Sequence, residues 1–69
     1  MLPSYYTDPQ DRHIGVFPFE DRRGQQAFSV EITIEGEVVD SYTLYGIAAL
    51  DNVVRSRKWS IVDTSGNQD

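Results

Sequence analysis

The sequence predicts an α+β domain: a three-stranded antiparallel meander with one amphipathic helix packed on one face and a short last segment able to return as a fourth strand, in the order β-β-β-α-β. Three observations carry this. Over residues 26–35, Phe28, Val30, Ile32 and Ile34 alternate with Ser29, Glu31, Thr33 and Glu35, the period of a half-buried strand. Apolar segments on either side are joined to it by short polar links that contain glycine, which is the mark of hairpins. Over residues 43–56 the period changes to that of a helix, with Ile47, Ala49, Leu50, Val53 and Val54 on one side and Ala48, Asp51, Asn52, Arg55 and Ser56 on the other.

In chain order, residues 1–11 carry Pro3 and Asp8-Pro9 with no period and read as an irregular arm, although Tyr5 and Tyr6 are large for a free tail. Residues 12–63 then make the single small domain. In His13–Glu20 the run Ile14, Gly15, Val16, Phe17, Pro18, Phe19 reads as a strand, and Pro18 assigns it to an edge or an interruption because proline has no N–H to give a ladder. The polar residues 20–24 end in a glycine that accepts positive φ and suit a hairpin loop with Arg22 and Arg23 at its tip. Glu35-Gly36-Glu37 is a second tight turn into a strand over residues 38–42.

The helix is expected to start near Leu44 with Thr43 as its cap, and Arg55, Arg57 and Lys58 complement the dipole of its last turn. Residues 59–63 can return beside the sheet, and residues 64–69 should fray.

Composition narrows the function classes. A chain of 69 residues buries only about 60% of the surface it exposes when unfolded, so the core is modest. With no cysteine there is neither a disulfide nor a thiolate, which favours a cytoplasmic setting, and no hydrophobic run has the length of a membrane span or a signal peptide core. One histidine and no cysteine give no basis for a nucleophilic catalytic site, and the carboxylates sit at turns and on an exposed strand face, so no enzymatic activity is expected. Asp8, Asp11 and His13 are oxygen and nitrogen donors close in sequence, but their spacing is nonspecific for a metal, and no glycine-rich phosphate loop is present; no cofactor is implied.

What remains is surface. The net charge is -5, and between Gly24 and Val54 there is no Lys or Arg, while Glu31, Glu35, Glu37, Asp40 and Asp51 fall there. This pattern favours a small acidic module that binds another protein with a basic surface, as an adaptor or an inhibitor. Glu31, Glu35 and Glu37 then supply attraction, and Phe17, Phe19, Tyr5 and Tyr6 supply contact area. Two other readings stay open. One is weak nucleic-acid binding through Arg22, Arg23, Arg55, Arg57, Lys58 and Trp59, which the negative field opposes; the other is a homodimer made through edge strands and uncovered aromatics.

Overall fold

The computed structural model describes residues 3–62, so the fraying expected at residues 64–69 lies outside the described residues. The element order is β1 (Ser4–Thr7), β2 (His13–Glu20), β3 (Gln26–Ile34), β4 (Glu37–Tyr45), α1 (Ile47–Ser56) and β5 (Ser60–Ile61). All five strands form one sheet in the order β4-β3-β2-β1-β5, antiparallel at every pairing, with α1 against β3 and β4 on one side. The fold class is the expected one. The strand count is higher, because residues 4–7 form a strand where the sequence reads as an irregular arm.

The reason lies in the loop that follows. Asp8 Oδ1 accepts the N–H groups of Gln10 and Arg12 at 3.0 and 2.8 Å, and Asp11 N–H donates to the Asp8 carbonyl at 2.8 Å. The loop after β2 repeats this pattern: Asp21 Oδ1 accepts from Arg23 and Gln25 at 2.9 Å each, and Gly24 N–H donates to the Asp21 carbonyl at 3.0 Å. The fourth residue of each loop has positive φ, 66° at Asp11 and 76° at Gly24. Both are therefore the same hairpin device, an aspartate that folds the chain over its own carboxylate. Pro9 fits it as the second residue of the turn.

The central hairpin turns at Glu35 (φ 51°) and Gly36 (φ 82°), both left-handed as a two-residue type I′ turn requires. One register shift between Ile32 and Thr33 places a bulge at Val39 in β4. Beyond it β4 keeps a period of two through Tyr45, with Tyr42 and Leu44 partly buried and Ser41, Thr43 and Tyr45 exposed. Thr43 pairs with Ser29 in the sheet, so it does not cap the helix. Leu44 satisfies either period, which is why a helical start there is plausible on the sequence alone. The helix instead begins after Gly46, whose φ of 88° makes the corner and whose N–H donates to the Gln26 carbonyl at 3.0 Å.

The core is the layer between sheet and helix. Ile14, Val16, Phe28, Val30 and Ile32 meet Leu50 and Trp59, with Tyr6, Tyr42, Leu44, Val53 and Val54 around them. β2 is interior in the strand order, but β1 pairs with it only over residues 13–16. Pro18, paired with Phe28 of β3, therefore stands where β2 has no described partner on its other side, as a residue without an N–H allows. Ile34 and Ile47, at the ends of their elements, are 41% and 61% exposed and leave the core smaller than the two periodicities imply.

The helix ends in a Schellman motif. Lys58 N–H donates to the Arg55 carbonyl at 3.2 Å, Trp59 N–H to the Val54 carbonyl at 3.0 Å, and Lys58 takes φ 58° at the position glycine normally fills. An L residue held there costs about 1–2 kcal/mol in the left-handed region. Lys58→Gly and Asp11→Gly are accordingly each expected to raise stability by roughly 0.5–1 kcal/mol, once the greater freedom of the unfolded glycine chain is set against the relief. Urea melts of the two variants check this, and a loss of stability in both counts against the turn geometry.

Candidate functional site on the open face of the sheet

The helix covers one face of the sheet. The other carries the side chains of odd-numbered β2 and β3 residues: His13, Gly15, Phe17 and Phe19 beside Ala27, Ser29, Glu31 and Thr33. Register places Tyr5, Gly15, Glu31 and Ser41 in one row across four strands. A groove of about 360 Å³ lies along this row, with Gly15 in its lining. Tyr5 and Val62 wall it from the β1 side and Glu31 and Thr33 from the β3 side, with His13 and Phe17 at either end along β2.

Phe17 leans over Gly15. A Cβ at Gly15 would lie 2.8 Å from the Phe17 ring, and that ring meets Tyr5 edge to face with centroids 6.1 Å apart and planes at 83°. Glu31 is half-buried, and among the described residues the ion pairs are Arg12 with Asp8 and Arg55 with Asp51, neither of which reaches it. Its carboxylate faces a partly apolar space without a cationic partner from the described residues.

The other candidate residues divide by place. Phe19 is on the same open face and 41% exposed, two residues along β2 from Phe17. Glu35 and Glu37 sit at the β3–β4 turn, at the end of the sheet nearest His13 and Thr33. Tyr6 alternates to the opposite face, where its ring packs on Trp59 with centroids 5.8 Å apart, so it belongs with the core and not with the open-face aromatics. Gly15, Thr33 and Val62 are not among the residues the sequence reading nominates, and His13 enters it only as a candidate metal donor; the signal for Gly15 is a glycine inside a strand pattern, which marks a close approach.

The basic residues do not make one surface. Arg22 and Arg23 tip the β2–β3 loop, beside the start of the helix, whereas Arg55, Arg57 and Lys58 are at its far end by the β1–β2 loop. Trp59 is 7% exposed, so its ring is packed and not offered to a stacked base. Near the second cluster the Asp8 carboxyl makes its strongest contact, 2.6 Å from Arg12 Nε. Burial acts to raise the pKa of Asp8, but the hydrogen bonds and charge of Arg12 with the Gln10 N–H outweigh it and hold the group below the usual carboxylate value. With its oxygens committed to the turn, Asp8 does not join Asp11 and His13 as a ligand, and among the described residues no group of three His, Cys, Asp or Glu is placed to hold a metal. Also among the described residues, no helix is long and apolar enough to cross a membrane.

Comparison with protein families, with curated proteins and with solved structures finds no match to this chain.

Proposed function

We propose that this chain is a protein-binding module that meets a basic surface on its partner through the open face of the sheet. The observation that supports it best is Glu31, half-buried beside Tyr5 and Phe17 with no ion pair to any described residue. A carboxylate in such a place is open to pairing with an incoming cation, and the neighbouring rings give contact area at little entropic cost. Glu35 and Glu37 at the adjacent turn extend the negative field and speed encounter.

The test is retention of partners by tagged protein from lysate after nuclease treatment, compared with a Glu31→Gln, Glu35→Gln, Glu37→Gln triple variant across salt concentrations. The expected result is a nuclease-resistant protein held by the wild type, released as salt rises, and lost from the variant. Equal retention by both proteins rejects the charge mechanism.

Self-association is a second reading, favoured by one observation: β4 presents a nine-residue outer edge, with the Val39 bulge and Asp40 as its main defences against pairing. Light scattering decides it, since a monomer has a mass of 7.9 kDa.

A further inference from the structure

We infer that the groove over Gly15 is a receptor for a single arginine side chain of the partner protein. The inference rests on the protein-binding reading and names the group that enters. Three features favour a guanidinium. The groove has a carboxylate on one wall, Glu31, and aromatic rings on others, Tyr5 and Phe17, so one planar cation can pair with the first and lie against the second. Its volume of about 360 Å³ is at the small end of ligand pockets, which suits one side chain and not a whole peptide strand. No Lys or Arg occurs from Gly24 to Val54, so the strand that carries Glu31 brings none to compete, and the nitrogen base in the lining is His13 at one end.

Arginine is preferred over lysine for a physical reason. A guanidinium is weakly hydrated, stacks on rings and presents two parallel N–H groups to a carboxylate, whereas an ammonium is a strongly hydrated point charge that loses more on entering an apolar groove. The far edge of the Phe17 ring lies over Gly15 and meets Tyr5 edge to face, so the missing Cβ seats that ring and the groove lies beside it. The groove is thus a slot with one aromatic side, and Gly15 is what lets that side lie flat on the sheet.

The experiment is a titration of the isotopically labelled full chain with N-acetyl-arginine methylamide, followed by amide chemical shifts, with the lysine and citrulline analogues as controls. Saturable shifts are expected at Gly15, Glu31 and Thr33 with the arginine probe, weaker binding with lysine and none with citrulline. Glu31→Gln should weaken the arginine probe about tenfold, the loss of one charge-assisted pair. Gly15→Ala, which pushes Phe17 aside, should weaken it while leaving the spectrum that of a folded chain. Equal binding of lysine and arginine, an unchanged affinity in Glu31→Gln, or non-saturating shifts shared with Asp51 and Glu35 overturns the inference. If these occur while the triple glutamine variant still loses a salt-sensitive partner, the binding surface stands and the arginine slot alone falls.

Discussion

Replacing Trp59 with alanine is expected to remove about 3–5 kcal/mol of stability, the usual cost of truncating a buried aromatic. A chain of this length has roughly 3–10 kcal/mol in total, so the variant should be largely unfolded at ambient temperature or close to it. The ring is 7% exposed and packs on Tyr6 of β1, in a residue whose backbone N–H bonds the Val54 carbonyl at the helix terminus and which leads directly into β5. Urea melts by circular dichroism measure the loss. Trp59→Phe, which keeps a ring in the site, should cost no more than about 1.5 kcal/mol. A Trp59→Ala variant within 1 kcal/mol of wild type, by the scale of surface substitutions, would mean that the ring is not part of the core.

Asp8→Ala carries the second large effect, about 2–3 kcal/mol, because it removes the acceptor of two backbone N–H groups and the partner of Arg12 at once. Asp8→Asn should lose less, since an amide oxygen can still accept the turn hydrogen bonds. The two variants also differ from wild type in pH dependence. The folded-state pKa of Asp8 is lowered, so its ionisation contributes stability that is fully present above the unfolded value of about 3.9 and is lost as pH falls through the folded pKa. Wild type should therefore lose stability more steeply than Asp8→Asn below about pH 4. Parallel curves for the two proteins in acid would contradict the assignment of that carboxylate. The exposed pair of Arg55 and Asp51, at 2.7 Å, contributes only a few tenths of a kcal/mol and should not mask the difference.

Much of the fold is legible in the residues because strand and helix periods are physical consequences of where side chains point. The alternation through Phe28, Val30 and Ile32 identifies β3 and its buried face, and Gly24 and Glu35-Gly36 locate both of its turns. What escapes is β1, since Asp8-Pro9 signals a break, and only the hydrogen bonds show that this break is a hairpin corner like the one at Asp21. An aspartate at position 11 conceals the likeness to Gly24. Lys58 likewise conceals the Schellman terminus that turns Trp59 inward.

The groove is half legible. Parity along β2 and β3 puts Phe17 and Glu31 on one face, but only the register adds Tyr5 from β1, and Tyr6, one position along, goes to the core. Val62 cannot be placed by any local period, because what holds it is a single bond to the Tyr5 carbonyl at 2.8 Å across the β1–β5 seam.

That seam has a further consequence. Strands β1 to β4 each pair with a neighbour in sequence, so their contacts close short stretches of chain. The pairing of Tyr6 with Ile61 instead closes a loop of nearly the whole described chain, through only two paired residues. Its entropy falls on one small, exposed strand, which makes this the natural place for the sheet to come undone without the rest. Because Tyr5 and Val62 are both walls of the groove, the groove is complete only when the first and last described strands are joined. A ligand held there would act as a clasp on that seam, drawing β1 and the segment after β5 together.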